Sequence, residues 1–176
     1  MITFSEAKQI ALEKIGSDFI LNENEIIEKP YGWYFSCRSK SNDEIVFGSN
    51  GFIVDREDGH VFQFGSAYSL ERDIAAYEAG FRFDLYDLII LSVSNTQKTV
   101  QLLLDLDMHY VLDEEENGTV WKIPKKYERE QIQSALQSLP CTFPNQKFYF
   151  MFEKFLEIDK ENCCTYQLDG HRQNKS

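Results

Sequence analysis

The chain has 176 residues, of which 43% are hydrophobic and 14% aromatic, and it carries a formal net charge of −11. A chain of this length and composition can bury a core without disulfides or a metal, and it is too apolar for a disordered protein. The acidic excess extends over residues 1–82 and residues 83–176 alike, which disfavours binding to nucleic-acid phosphates. It is consistent either with simple solubility or with a basic protein partner that is steered electrostatically.

The cysteines and the apolar segments of the sequence indicate in which cellular compartment the protein is expected. The spacing of the four cysteines matches no disulfide framework. The N-terminal residues lack a basic region followed by an apolar run, so we expect no secretion signal. No apolar stretch approaches the roughly 20 residues that a membrane helix needs. These features predict a cytoplasmic protein with reduced thiols and no membrane association.

The first predicted element is a helix over residues 4–15. The sequence TFSE, from Thr3 to Glu6, is a capping box, in which each side chain accepts the backbone N–H of the other residue. Apolar residues then recur at helical spacing up to Gly16, and glycine commonly ends helices.

Strands and a second helix follow in the first half. The predicted strands cover residues 19–29, 31–38 and 51–65. The last of these runs is a predicted hairpin, because its Asp58–Gly59 dipeptide suits a type I′ turn. Ser69 can cap a helix that ends at Gly80. Residues 1–82 are therefore predicted to form an antiparallel sheet with flanking helices, in the order αββββα.

Aromatic residues alternate in the stretch YGWYFSCR. Trp33 and Phe35 lie on one face of the predicted strand, and Tyr34 lies on the other. We expect Trp33 and Phe35 to fill the core between the sheet and the first helix, since aromatic residues at period two usually face a core. Tyr34 is then a candidate for contact with a partner, because tyrosine is frequent in binding hot spots.

The second half of the chain predicts the element order β-α-β-β-α-β. The run LYDLIILSVS is a predicted strand, and a predicted hairpin turns at Asn117–Gly118, another type I′ signal. The segment from Asn145 to Ile158 predicts a last strand that runs into a short helix. This order is that of a ferredoxin-like unit over residues 83–164, and the polar residues 165–176 are predicted to be a flexible tail. The whole chain is thus predicted to be α+β.

Catalytic and metal sites are not indicated. A Cys37–His60 dyad is conceivable within one sheet, but a nucleophilic cysteine needs a base, an electropositive setting and an oxyanion hole, which the sequence does not indicate. Glycine-rich phosphate-binding motifs are absent. The remaining possible zinc ligands lack the spacing of zinc sites: Cys141, Cys163, Cys164 and His171. We therefore predict a binding protein, not an enzyme, with no catalytic, metal-ligating or cofactor-binding residues.

Two acidic clusters lie at the predicted hairpin turns. A catalytic carboxylate pair would need one acid that is buried enough to raise its pKa, and turn residues are usually solvated. Exposed acids instead suit the steering of a basic partner. The candidate partner-binding acids are Asp55, Glu57 and Asp58 in the first cluster and Asp113, Glu114, Glu115 and Glu116 in the second.

Three blocks of the first half resemble a known family. They read ITFSEAKQIALEKIG, then IIEKPYGWYFSC, then NGFIVDREDGHVFQFGSAYSLERDIAAYE. In this order, over about residues 2–79, they resemble the immunity protein 35 family (the YrhB-like domain) of bacterial polymorphic toxin systems. The resemblance implies that the protein binds a cognate toxin domain in the cytoplasm and neutralises it by stoichiometric association. It implies neither catalytic residues nor the chemistry of the toxin.

Two other function classes stay open at the level of sequence. A chaperone-like or stress-related cytosolic binding protein would also use an acidic surface and exposed aromatic residues. A small hydrolase is the third class. A toxin gene next to this one would favour the immunity function over both. The sequence does not define the oligomeric state, the contact surface or the role of residues 83–176.

Overall fold

The structure, a computed structural model, describes residues 1–41, 51–116 and 118–172. These residues form five α-helices and eleven strands, and all strand pairings among them are antiparallel, which confirms the α+β class. The chain divides into two compact units, Met1–Ala75 and Ala76–Ser176, whereas the sequence places the boundary after residue 82. All helices in the described ranges are too short or too polar for a transmembrane segment.

The first unit consists of a helix, six short strands and the start of a second helix. Its elements are α1 (Phe4–Ile15), β1 (Phe19–Leu21), β2 (Ile27–Lys29), β3 (Gly32–Phe35), β4 (Cys37–Ser39), β5 (Phe52–Asp55), β6 (Val61–Gln63) and α2 (Leu70–Glu78). Four strands form one sheet in the order β2-β3-β5-β6, and β1 pairs with β4. The predicted strand over residues 19–29 is divided in two by a 3₁₀ turn at Glu23–Glu25.

Helix α1 begins and ends where the sequence predicts. The hydroxyl of Thr3 accepts the backbone N–H of Glu6 at 3.3 Å, and the Glu6 carboxylate accepts the backbone N–H of Thr3 at 2.7 Å, so the capping box is formed. Gly16 follows the helix with φ of 75°, a conformation that glycine adopts without strain. Ala7 and Ala11 make up the buried stripe of the helix, and their small side chains allow it to lie close to the sheet.

The core of the first unit confirms the predicted role of Trp33 and Phe35. Both side chains are buried, and Phe35 stacks on Phe52 with ring centroids 5.9 Å apart. The cluster under α1 is made of Ala7, Ala11, Leu21, Trp33, Phe35, Phe52 and Val54. A helix stripe of alanines against a sheet face of aromatic residues therefore supplies the buried apolar surface of this unit.

The turn between β5 and β6 is longer than predicted. Asp55 donates its N–H to the carbonyl of His60 at 2.8 Å, so the ladder extends one pair beyond Val54–Val61 and leaves four loop residues, 56–59. Gly59 has φ of 73° and donates its N–H to the carbonyl of Asp55 at 2.9 Å. The Asp58–Gly59 dipeptide thus ends a four-residue loop and does not form a two-residue type I′ turn. The glycine is needed for its positive φ in both arrangements, which is why the dipeptide alone does not define loop length.

The second unit contains five strands and three complete helices. They are β7 (Leu85–Val93), α3 (Thr96–Asp105), β8 (His109–Glu116), β9 (Thr119–Lys126), α4 (Arg129–Ala135), β10 (Cys141–Gln146), α5 (Phe152–Glu161) and β11 (Cys164–His171). The order from β7 to β10 is the predicted β-α-β-β-α-β. The two-residue connection between β8 and β9 is also as predicted, and Gly118 there has φ of 76°. Asn117, the other residue of that predicted turn, lies outside the described residues.

Strand pairing in the second unit differs from a ferredoxin-like sheet. In that arrangement the first strand would lie between the third and the fourth, so β7 would pair with β9 and β10. Instead β7 pairs with β10 and β11, and among the strands that the structure describes β8 and β9 pair only with each other. Strand β11 takes the place of β9 because it pairs with β7 from Cys164 opposite Val93 to His171 opposite Leu85.

Two sequence predictions near the C-terminus are wrong. Residues 165–171, predicted to be part of a flexible tail, belong to β11. The segment after Asn145 is predicted to be a strand that runs into a short helix; the helix is present as α5, but the predicted strand before it is a 3₁₀ turn at Tyr149–Met151. The buried residues Phe155 and Ile158 are three positions apart, which is the spacing of one helix face and not of a strand. Strand β10 ends at Gln146, before that segment.

The core of the second unit lies on one face of β7. Tyr86, Leu88 and Ile90 alternate toward it, and apolar residues from the helices cover them. Its largest fully buried side chains are Tyr86, Leu88, Ile90, Leu103, Leu106, Ile132, Phe143, Phe148 and Phe155. The aromatic rings contact one another, for example Phe148 and Phe155 at a centroid distance of 4.9 Å.

We predict that Gly170→Ala destabilises the protein. Gly170 lies in β11, and a methyl group on its Cα would overlap the ring of Phe83. Overpacking of this kind costs about 1–3 kcal/mol, and urea unfolding measures it. The matched control is Gly65→Ala, because the nearest atom to an added methyl group there is 4.0 Å away. Equal losses in both variants would contradict the packing of Phe83 on β11.

Candidate binding surface on the β8–β9 hairpin

Tyr34 is buried, which corrects the prediction that it contacts a partner. Its side chain is 5% exposed and stacks on Phe64 with ring centroids 6.3 Å apart. Alternation predicts one open face, but Phe64 covers β3 at Tyr34, and all four residues of the strand are buried. Burial above all, and then the charge of Glu25 and the neighbouring Cys37, raises the pKa of Tyr34 to about 12.

The first acidic cluster serves the structure of its own loop. Asp55 is 8% exposed, and its Oδ1 accepts the backbone N–H of Glu57 at 2.8 Å. Asp58 is exposed, but its Oδ1 accepts the backbone N–H of His60 at 2.9 Å, as aspartates in turns commonly do. Asp55 is therefore wrong as a candidate contact, whereas Glu57 and Asp58 are accessible.

Three of the four cysteines, Cys37, Cys141 and Cys164, lie in environments that disfavour thiolates. All four are free thiols. Burial raises the pKa of Cys37 and of Cys141, and burial together with Cys163 raises the pKa of Cys164 to about 11. A nucleophilic cysteine needs the opposite shift. Within the described ranges, His, Cys, Asp and Glu side chains do not form groups of three or more that could hold a metal ion.

The second acidic cluster lies on an exposed strand. Asp113 to Glu116 are the last four residues of β8, and all four are exposed. Lysines follow on β9, where Lys122 is opposite Asp113, and Lys125 Nζ is 3.3 Å from a Glu114 carboxylate oxygen. The acidic residues are thus concentrated on one strand of the hairpin, toward its turn, and the lysines are on the other strand.

The same hairpin exposes apolar side chains that sequence reasoning missed. The side chains of Val111, Val120 and Trp121 are 61%, 59% and 56% exposed. Partners in an antiparallel ladder point to the same face. One face therefore carries Leu112, Trp121 and Ile123, and the other carries Val111, Val120 and Pro124.

The base of the hairpin is held by the rest of the second unit. Gln146 at the end of β10 is buried. Its amide oxygen accepts the N–H of His109 at 2.9 Å, and its amide nitrogen donates to the carbonyl of His109 at 2.7 Å. On the opposite face Tyr110 contacts Tyr127, with ring centroids 5.0 Å apart. Lys126 also pairs with Asp107 at 2.5 Å. A two-stranded ribbon is marginal on its own, so these contacts define its position.

A cleft lies beside the base of β8. Its volume is about 710 Å³, and it separates the hairpin from the segment that follows β10. On the hairpin side it is lined by Val111 and Pro124, and on the other side by Pro144, Phe148 and Met151. The cleft is also lined by Asp107, His109 and Lys147, so its walls are apolar with charged and polar side chains among them.

The sequence shows the apolar residues of the hairpin, but it does not show whether they are buried or exposed. Val111–Leu112 and Val120–Trp121 occur in runs that predict strands, and strands with apolar residues usually face a core. The sequence predicts the hairpin itself, but it does not reveal that none of the other strands described for this unit pairs with β8 or β9.

We predict that Gln146→Leu loosens the hairpin. The substitution leaves the N–H and carbonyl of His109 without their partner, which costs about 1–3 kcal/mol when the groups are partly buried. Amide hydrogen exchange in β8 and β9 should become faster, while β7 stays protected. Gln133→Leu, at an exposed position of α4, is the matched control and should leave the exchange rates unchanged.

We predict that Tyr34 contributes to alkaline unfolding. Its pKa of about 12 exceeds the ordinary value of 10, so its stabilising contribution is complete below pH 10 and is lost as the pH rises toward 12. Tyr34→Phe should reduce the stability lost between pH 9 and pH 11.5 in urea unfolding. It should not remove the loss, since burial also raises the pKa of Tyr86 to about 12. A variant with the full wild-type pH dependence would contradict the buried placement of this phenol.

Comparison with known proteins identifies no relative. No protein-family model matches the chain, and no curated protein or solved structure is significantly similar to it.

Proposed function

We propose that this protein is an immunity protein that binds a cognate bacterial toxin domain one to one, in the cytoplasm of the producing cell, and blocks its activity. The observation that carries the proposal is the exposed β8–β9 hairpin, with apolar side chains on both faces next to four acidic residues. The resemblance of residues 2–79 to the immunity protein 35 family supports the same function from a different part of the chain.

The apolar side chains would supply most of the affinity. Single exposed apolar residues are common on soluble proteins, but adjacent ones typically mark interaction surfaces. Leu112, Trp121 and Ile123 are neighbours on one face of the ribbon. Burial of the exposed part of a tryptophan such as Trp121 contributes about 3 kcal/mol, at the usual free energy per Å² of buried apolar surface. Tryptophan is also enriched in binding hot spots.

The acidic residues would act mainly on the association rate. The side chains of residues 113–116 are exposed at the end of β8, where water screens their charges. Exposed charges at the rim of an interface raise the rate of encounter with an oppositely charged partner and contribute little to the lifetime of the complex. The docking surface of the toxin is therefore proposed to be basic.

A chaperone-like or stress-related function would use the same exposed apolar residues. It differs in selectivity, because a chaperone binds many unfolded chains, whereas an immunity protein binds one folded domain. The proposal expects a toxin domain to be encoded next to this gene. Titration calorimetry with that domain, and with a chemically unfolded unrelated protein, separates the two functions. Binding to the toxin domain alone, at a ratio of one to one, supports the immunity function. Binding to the unfolded protein alone would replace it with the chaperone-like one.

We predict that neutralising the hairpin acids slows association with that toxin domain. The variant carries Asp113→Asn, Glu114→Gln, Glu115→Gln and Glu116→Gln. We expect the association rate to fall roughly ten-fold at low salt and to lose most of its salt dependence, while the dissociation rate changes little. Surface plasmon resonance at two salt concentrations measures both rates.

Two control variants accompany this measurement. Glu57→Gln with Asp58→Asn removes exposed acids from the loop of the first unit and should leave the association rate near the wild-type value. Trp121→Ala should instead accelerate dissociation, since it removes buried apolar contact. An association rate that responds to the loop variant and not to the hairpin variant would contradict the proposed surface.

A further inference from the structure

The two outer edges of the hairpin can be assigned from its hydrogen bonds. Tyr127 donates its N–H to the carbonyl of Met108, so the backbone N–H and carbonyl groups of residue 108 point toward the β9 side. His109 points away from β9, because both of its backbone groups bond to Gln146. Backbone direction alternates along a strand. The N–H and carbonyl groups of Val111, Asp113 and Glu115 therefore point outward from β8, and within the part of the chain that the structure describes they have no hydrogen-bond partner.

The outer edge of β9 is interrupted by a proline. Pro124 is opposite Val111, so its nitrogen lies on the outward side of β9 and has no hydrogen to donate. The backbone N–H and carbonyl groups of Lys122 and Lys126 also point to the outward side of β9. Proline and lysine are the residues that commonly prevent pairing at sheet edges. The outer edge of β8 has neither, and each of its three outward residues can both donate and accept.

The outer edge of β8 continues into the cleft at the hairpin base. Val111 contributes both to the edge and to the cleft wall, and Pro144 and Phe148 lie across the cleft from it. Beyond Val111 the edge is flanked by acidic side chains, with Asp113 and Glu115 on one face and Glu114 and Glu116 on the other. A strand laid along this edge would meet apolar surroundings at the base and negative charge toward the turn.

We infer that an extended segment of the partner protein adds as a third strand to the outer edge of β8, with apolar residues beside Val111 and lysine or arginine residues beside Asp113 and Glu115. Strand addition of this kind takes affinity from main-chain hydrogen bonds and selectivity from the alternate side chains. The inference rests on the proposed function, in that the toxin domain is the protein expected to supply the segment.

A second copy of the chain is a poor occupant of this edge. If two β8 strands paired antiparallel about Asp113, the two Asp113 side chains would be direct neighbours, and Glu114 of each strand would lie beside Leu112 of the other. Like charges opposite each other destabilise a strand pair, and the remaining acids would lie beside apolar residues. A basic segment instead gains opposite charges at the same positions.

The experiment uses two synthetic probes that do not depend on the identity of the toxin. They are eight-residue peptides with blocked ends, Val-Thr-Val-Thr-Lys-Thr-Lys-Thr and the same residues in reverse order, so that both strand directions are sampled. Each is titrated into the ¹⁵N-labelled full-length protein. We expect amide shifts at residues 111, 113 and 115 with one of the two peptides. A peptide with glutamate in place of lysine, and one that is N-methylated at alternate residues, should bind at least ten-fold more weakly.

Two substitutions at one position separate the backbone from the side chain. Asp113→Asn removes the charge and keeps the outward N–H, so binding of the peptide should weaken about three-fold. Asp113→Pro also removes the N–H and should weaken binding more than ten-fold. The hydrogen bonds within the hairpin use the residues on either side, so hydrogen exchange at Leu112 and Glu114 should be unchanged, which shows that the hairpin is intact.

The possible outcomes distinguish this inference from the immunity function. Equal binding of the peptide to both Asp113 variants, equal binding of the N-methylated peptide, or no binding of either lysine peptide would overturn strand addition. The toxin domain is then titrated against the same variants. If it binds wild type and Asp113→Pro equally, strand addition is overturned and the immunity function stands. If it binds neither while the lysine peptide binds as expected, the immunity function falls and the β8 edge remains a site for a basic strand.

Discussion

Strand β7 has two edges, and both are occupied. β10 pairs with one and β11 with the other, which leaves no edge of β7 for the hairpin. The hairpin is consequently a ribbon of its own, joined to the unit by the amide of Gln146 and by the contact of Tyr110 with Tyr127. In a ferredoxin-like unit, β9 would instead pair with β7, at the edge that β11 occupies here. The exposure of Trp121 is thus a consequence of pairing elsewhere in the sheet.

The sequence predicts local structure well where one residue decides it. The capping box at Thr3 and Glu6, the helix end at Gly16 and the two-residue connection between β8 and β9 each follow from local backbone chemistry. It predicts less where distant segments compete for the same place. The competition between β9 and β11 for β7 is decided by long-range pairing, and no local pattern around residues 164–171 reveals it. The polar appearance of that segment suggests a frayed end, yet an edge strand needs only one apolar face.

The candidate binding residues also depend on long-range structure that local sequence patterns do not predict. Alternation correctly places Trp33 and Phe35 in the core, but it predicts an exposed face for Tyr34, because a pattern of period two does not tell whether a sheet is covered on both sides. Acidic residues at turns look equivalent in the sequence. In the structure Asp55 is buried and bonds to its own loop, whereas Asp113 is exposed on a strand with a free edge. Burial of the backbone around an acid, which depends on the whole fold, decides between the two.

The acidic residues of β8 affect which strands can pair with its outer edge. A free edge with exposed apolar neighbours is an aggregation hazard, and proteins commonly interrupt such edges with proline or lysine. β9 carries both, at Pro124 and Lys122. β8 carries acids instead, which repel a second copy of an acidic chain but attract a basic strand. Unlike a proline, these carboxylates leave the outward N–H groups of Val111, Asp113 and Glu115 available to a partner strand, while they would oppose the pairing of two copies. In the proposed strand addition, the exposed acids of residues 113–116 would both repel a second copy of the chain and select a basic segment.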